Sequence, residues 1–333
     1  MILVVGGAGY VGLVLVEELL QREYKVRVLD PLWFGNRLSC IANGDQVDLV
    51  VGDTRTCDPS VLDDITAVIV LGGFSSDPMS DAKPCAHYEA KVLGSKQMAE
   101  MCKARGVSRF VFASSASVYD LGMDEAQDVL RDEDSAIYPA ASYSSSKYEA
   151  ERILRTMGDD TFCPVILRKG TIYGFSHRMR YDLVVNTFIK SALTTGTMGL
   201  HSGGEVWRPL IDVHDVARAY IAAIEADAGD VCNEIFNISG DNLRISELAL
   251  RMQAVLKYCV HAVDIVPDYS PRPMRSYRMS TEKARRVLGF ESEMTVDRSV
   301  MDILDKIYRY DYIDFDNPVY YSMRWMNEGG CGE

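Results

Sequence analysis

Short apolar runs alternate with stretches of helical period through the first half of the chain. Ile2–Val5, Lys25–Leu29, Val47–Val51, Ala67–Leu71, Arg109–Ala113 and Pro164–Leu167 are rich in Val and Ile and read as buried strands. Val11–Gln21, Ala86–Arg105 and Ser142–Met157 carry the helical period between them. Such alternation predicts an α/β fold with a parallel, doubly wound sheet covered on both faces. Right-handed crossovers then bring the C-terminal strand ends to one edge, where ligands bind. After about residue 170 the pattern loosens, and helices (Val213–Ala226, Ile245–Lys257, Thr281–Leu288, Thr295–Tyr308) alternate with short strand-like pieces. The expected division is a first unit of residues 1–175 plus about 209–238. A smaller C-terminal α/β unit of about 176–208 and 239–333 would sit over the strand ends.

Composition narrows the class. Of 333 residues 47% are apolar and 25% charged, as in a soluble globular protein, and no apolar run is long enough to span a bilayer. Met1 leads straight into a strand with no basic, signal-like region, so a cytoplasmic location is expected. The net charge of −13 disfavours nucleic-acid binding, which needs a basic face. It also means that an anionic ligand requires a local cluster of Arg or Lys. The 8 cysteines show no CxxC spacing and the 5 histidines are scattered, so no metal site is expected and the thiols are read as reduced and mostly buried. The acidic stretches Asp120–Asp134 and Asp311–Asn317 are read as solvated loops.

The N-terminus reads ILVVGGAGYVG, with Gly6, Gly9 and Gly12 spaced as a dinucleotide-binding turn between a strand and a helix. Gly6, Gly9, Tyr10, Val11 and Gly12 are therefore candidates to bring backbone N–H groups to a diphosphate at the helix N-terminus. Asp30, ending the second strand, would accept the adenosine ribose hydroxyls and repel a 2′-phosphate, which selects NAD over NADP; Arg37 nearby keeps an NADP reading open. Asp53, with Thr54, is either an adenine-edge ligand or a turn cap.

The fifth strand ends in Ser114 and Ser115, and Tyr143 precedes Lys147 by one helical turn. Residues four apart share a helix face, so phenol and ammonium project together. The ammonium is expected to lower the phenol pKa towards general acid–base work, with Ser115 holding the hydroxyl being oxidised.

With these residues in this order, nearly the whole chain resembles the extended short-chain dehydrogenase/reductase family, and within it the NAD-dependent nucleotide-sugar epimerases and dehydratases. The matching stretches include GGAGYVG, Gly52-Asp53, Leu71-Gly72-Gly73, Ser115–Tyr119, Tyr143 with Lys147, Leu167-Arg168, Tyr173-Gly174 and Val213–Ala217. The resemblance implies a Rossmann-type NAD domain followed by a nucleotide-sugar domain. It implies Ser115, Tyr143 and Lys147 as the catalytic triad, with Leu71, Gly72, Gly73 and Ser114 beside the cofactor. It also implies a homodimer through the helices at Ala86–Arg105 and Ser142–Met157. Lys91 stands where the family usually has Asn, and Gly72-Gly73 replaces Ala-Ala, which would leave room beside the nicotinamide.

Ala116 and Ser117 replace the acidic pair of the related dehydratases, which disfavours elimination and points to transient oxidation of a sugar hydroxyl, expected at C4. A dehydratase, a 4-keto-sugar reductase and, more remotely, a dinucleotide-sensing regulator are the alternatives. Candidates to hold the substrate are Ser115, Thr171, Arg178, Arg180, Arg208, Arg272 and Arg275, with bidentate Arg–phosphate pairing as the reason for the arginines. Arg278 is read as a surface residue, Trp207 as interior packing, and His214 as a packed histidine at a helix start.

Overall fold

The structure is a computed structural model that describes residues 1–43, 46–120, 129–260, 262–270 and 274–327. Arg272 and the middle of the first acidic stretch lie outside the described residues. Seven strands, β1 (Ile2–Val5), β2 (Val26–Asp30), β3 (Val47–Val51), β4 (Ala67–Val70), β5 (Arg109–Ser115), β6 (Cys163–Lys169) and β7 (Ile235–Ile238), form one parallel sheet. Its order is β7-β6-β5-β4-β1-β2-β3. All four residues of β1 are buried, because Val4 pairs with Val28 on one side and Ile69 on the other. A strand in that position reads as a continuous apolar run. The edge strand β3 is half open, with Val51 64% exposed.

Helices α1 (Tyr10–Gln21) and α4 (Val213–Glu225) bury Leu13, Val16, Ala217 and Tyr220 against one face of the sheet. On the opposite face α2 (Gly94–Arg105) and α3 (Ser142–Met157) bury Met98, Cys102, Ala150 and Leu154. A separate core joins the helices Val184–Thr195, Ile245–Leu256 and Val296–Arg309 through Ile189, Met252 and Ile303. Within the stretch assigned to the second unit, Ala284 and Phe290 pack instead with the sheet's core.

The structure departs from expectation at five points. The helix expected over Ala86–Arg105 is broken: Pro84–Tyr88 runs into a π-helical turn at Glu89–Leu93 before α2 begins. Such turns mark places where a side chain is re-aimed, and here Lys91 is carried to the cleft. The strand β7 was not anticipated. Cys163 and Cys232 form a disulfide, because the first residue of β6 lies beside the turn before β7 with a Cα separation of 4.6 Å; pairing across 69 residues leaves no local signal. Cys40, Cys85 and Cys259 are exposed rather than buried. Finally, Asp120 is buried near Arg275 at 3.8 Å, and Glu133 accepts from the Asn237 amide at 2.7 Å, so these two acids are not solvated.

Candidate active site

The loops at the C-terminal ends of the strands enclose a cleft of about 730 Å³. Its floor is the glycine turn. Gly6 has φ +82°, and a Cβ there would lie 2.7 Å from the Gly72 backbone; a Cβ on Gly12 would lie 2.2 Å from the Gly6 carbonyl oxygen. No larger residue lets the strand, turn and helix approach this closely. Gly9 caps α1 without a side-chain hydrogen bond, leaving the first amides of the helix to the cleft. Asp30 follows at the end of β2, accepting from Ala8 N at 3.0 Å and Leu32 N at 2.7 Å. Burial raises its carboxyl pKa, and these two amides oppose the rise.

A bare turn fixed in this shape, with free helix amides and an acid at the ribose position, fits a dinucleotide. Tyr10 lines the same floor, although its hydroxyl is committed to the Gly174 carbonyl at 2.7 Å. Of its two expected roles, Asp53 is seen in that of a turn cap. Its carboxylate caps the turn by accepting from Arg55 N at 2.9 Å and pairs with the Arg55 guanidinium, yet it lines the cleft with Thr54. Burial acts against ionisation there, and Arg55 outweighs it to hold the carboxyl below its ordinary range.

Ser115 ends β5 and caps a short turn, its Oγ accepting from Ser117 N at 3.2 Å and Ser117 Oγ at 3.0 Å. α3 presents Tyr143 and Lys147 to the cleft from one face, and Ser115 lies close enough to Tyr143 to lower its phenol pKa slightly. The electrostatics differ from the expectation. Enclosure by the cleft walls, with Asp77 adding to it, pushes the Tyr143 phenol up to about 12; Arg180 and Arg275 oppose the rise. Lys147 does not carry the burden of ionising the phenol in this state. Its ammonium donates to the Ala113 carbonyl and lies 5.9 Å from the Tyr143 ring centroid, and burial pushes it down to about 8.

Lys91 resolves the departure at that position. It is 2% exposed, and its amine donates to the Gly72 carbonyl at 2.6 Å. A Cβ on Gly73, which has φ +96°, would lie 3.1–3.3 Å from the end of the Lys91 side chain. The space left by the double glycine is therefore taken by Lys91. Burial, then Lys147, then Lys169 push Lys91 well below its ordinary value. Lys169 donates to the Ser114 carbonyl at 2.8 Å and also lines the cleft.

Of the expected substrate arginines, Arg180 and Arg275 line the cleft and Arg208 does not. Arg180 forms a fork with Asp182 at 2.9 Å and reaches Ser75 Oγ at 3.3 Å. Arg275 pairs with Asp77, and its Nη1 has no acceptor among the described residues. Arg208 is turned to the carbonyls of Trp207 and Arg275, because the strand Trp207–Asp212 points its side chain towards Tyr277. Arg178 also lines the cleft, stacked on Phe34 at 3.7 Å. Thr171 lines the cleft; Trp207 is half-buried with Arg278 over its ring at 4.8 Å; and His214 begins α4 bonded to Asp212 at 2.9 Å.

Three contributors carried no local mark in the sequence. Lys169 ends a strand, Tyr220 is one apolar-face residue of α4, and His87 precedes the π-helical turn. The Tyr220 hydroxyl lines the cleft with no partner among the described residues. His87 braces Tyr143 with ring centroids 6.0 Å apart, and burial pushes it down to about 4. Among the described residues no group of His, Cys, Asp and Glu could hold a metal ion, and no helix is long and apolar enough to cross a membrane.

Comparison with known proteins agrees with this geometry. The chain is 25% identical over 325 residues to a UDP-glucose 4-epimerase of Corynebacterium glutamicum, covering 90% of this chain and 93% of the relative. A UDP-glucose 4-epimerase of Mycolicibacterium smegmatis is 27% identical over 315 residues, covering 90% and 95%. The fold matches the UDP-glucuronic acid 4-epimerase of Bacillus cereus, solved with UDP-glucuronic acid and NAD, at TM-score 0.79 and 23% identity over 93% of this chain and 99% of that one. The profile of the NAD dependent epimerase/dehydratase family matches residues 2–239, and with the glycine cradle, Asp30 and the Ser115–Tyr143–Lys147 cluster in place, the chain belongs to that family of extended short-chain dehydrogenase/reductases.

Proposed function

We propose that this protein is a nucleotide-sugar epimerase that transiently oxidises a sugar hydroxyl at C4 and returns the hydride to the opposite face. The observation that carries the reading is the meeting of Ser115, Tyr143 and Lys147 in one cleft at the strand ends, beside a cradle shaped for a dinucleotide. Gly6, Gly9 and Gly12 would hold the diphosphate of NAD, Asp30 its adenosine ribose, and Lys147 its nicotinamide ribose; the cofactor supplies reversible hydride acceptance. Tyr143 takes the proton from the C4 hydroxyl and later gives it back, while Ser115 hydrogen-bonds the oxygen as it becomes a ketone. Because the proton and hydride both return, the cycle is redox-neutral.

Arg180 and Arg275, with Thr171, are the residues best placed to hold the substrate. Arg275 Nη1 lacks an acceptor, which suits a phosphate oxygen. Ala116 and Ser117 bring no carboxylate beside the reacting hydroxyl, which supports epimerisation over elimination. The partly exposed Tyr88 and Leu93 beside α2 support a homodimer through α2 and α3; light scattering that finds a monomer at micromolar concentration would refute the dimer.

The test is incubation of the purified protein with UDP-, GDP-, CDP- and dTDP-sugars, with products read by NMR. Inversion at C4 without net change in NADH absorbance is expected. Exchange of the C5 proton or a C6 methyl product would replace this reading with a dehydratase. Tyr143→Phe is expected to lower kcat by about 100-fold or more, the scale of a lost general base.

A further inference from the structure

Arg178 is 3% exposed, and two of its nitrogens, Nε and Nη1, have no acceptor among the described residues. Its one hydrogen bond runs from Nη2 to Ser322 Oγ at 3.2 Å. The guanidinium lies on the Phe34 ring at 3.7 Å and forms part of the cleft wall. Its electrostatic neighbours include Tyr10, at the first turn of α1, and Asp30. Burial, then the nearby Arg180, push this guanidinium down to about 9, and Asp182, Tyr10 and Asp30 oppose the fall without cancelling it. Arg275, by contrast, is paired with Asp77, and both act electrostatically on Tyr143.

Chain segments from both ends of the sequence build the setting. Phe34 belongs to the loop after Asp30, which runs beside the cleft because β2 and β3 are joined without a long helix. Ser322 belongs to the C-terminal turn Ser322–Trp325, whose neighbours Tyr321, Met323 and Arg324 also line the cleft. Trp325 fastens this turn by stacking on Trp33 at 5.7 Å and meeting Phe34 at 4.6 Å.

We propose that Arg178 binds an oxygen of the dinucleotide's diphosphate, across the cleft from the glycine turn, and that the C-terminal segment Tyr321–Trp325 holds it in that position. The glycine turn supplies helix amides but no cation; Arg178 supplies the missing charge in an otherwise acidic chain. Ser322 and Phe34 fix the plane of the guanidinium, so that little freedom is lost on binding. Such a clamp makes the cofactor resident, as a redox-neutral cycle requires. The inference rests on the family's cofactor and not on which sugar reaction follows.

Four probes separate the possible ligands: ADP-ribose, adenosine, UDP and NADP, each titrated calorimetrically into protein stripped of nucleotide. Arg178→Ala is expected to weaken ADP-ribose about 10- to 100-fold, the scale of a charge-assisted phosphate contact, and to leave adenosine and UDP unchanged. Protein purified with cofactor and then denatured is expected to release less NAD from Arg178→Ala than from wild type. Arg178→Lys is expected to fall between the two. Ser322→Ala, which keeps the charge and loosens its orientation, is expected to speed NAD loss by a smaller factor. If Arg178→Ala fails to fold, as judged by melting without ligand, the Lys and Ser322 variants carry the test. Loss of UDP affinity instead would assign the arginine to the substrate. Loss confined to NADP would assign it to a 2′-phosphate. Unchanged ADP-ribose binding in every variant would overturn the clamp outright.

Discussion

Tyr143 and Lys91 show how strongly single side chains depend on what surrounds them. The phenol sits at about 12 and its lysine neighbour at about 8, because enclosure penalises both charges and the ammonium spends its hydrogen bond on Ala113. Ionising the phenol therefore requires positive charge brought by ligands or by Arg180 and Arg275. Removal of Arg275 is accordingly expected to lower kcat/KM and to move its alkaline rise to higher pH; a pH–rate profile of Arg275→Ala that keeps the wild-type midpoint would refute this. Gly73 and Lys91 form a second dependent pair. Gly73→Ala places a Cβ against Lys91 at a φ of +96°, and should cost about 1–3 kcal/mol of stability, read as a lower Tm. Adding Lys91→Asn should recover the contact part of that loss and leave the backbone part. The glycines, Asp30, Ser115, Tyr143 and Lys147 were legible from spacing alone. The pKa values were not, since spacing carries no information about enclosure.

At the scale of elements, α3 is tied to the sheet by a buried polar network that includes Glu151, one turn beyond Lys147. Glu151 forms a fork with Arg168 at 2.7 Å, both 1% exposed, and Arg168 continues to the Tyr119 hydroxyl at 2.8 Å. Glu151→Ala strands a buried guanidinium and should cost about 3–5 kcal/mol, measured by denaturant unfolding. A loss under 1 kcal/mol would show that water or another acid takes over. The Cys163–Cys232 bridge ties β6 to the turn before β7, and its reduction should lower stability by about 2–4 kcal/mol; equal Tm with and without dithiothreitol would contradict a native bridge. The helix starts and lengths were legible here because apolar period and glycine punctuation are local. The π-helical turn was not, because its cause is the placement of Lys91 against a loop far away in sequence.

Across the whole molecule, the titration of the enclosed groups sets how stability responds to pH. Lys147 has a folded pKa near 8, below its unfolded value of 10.5, so the unfolded chain binds more protons between these values. Stability contributed by this site therefore rises as pH rises from about 8 to 10.5. Tyr143 acts oppositely: its folded pKa near 12 exceeds the unfolded 10.0, and its contribution is lost as pH climbs between them. Lys91 and Lys169, also held below their ordinary values, add to the same rise, so Lys147→Met should reduce it in protein free of nucleotide, as seen in Tm measured at pH 8 and pH 10.

Period and punctuation along the chain settled the doubly wound sheet, the glycine turn and the shared helix face of Tyr143 and Lys147, because each depends on residues adjacent on one strand, turn or helix face. Tertiary structure alone decided which arginines reach the cleft, the union of Cys163 with Cys232, and the return of the C-terminal segment over the loop after Asp30. Those contacts join residues far apart in the chain, and only the packed sheet brings them within reach of one another.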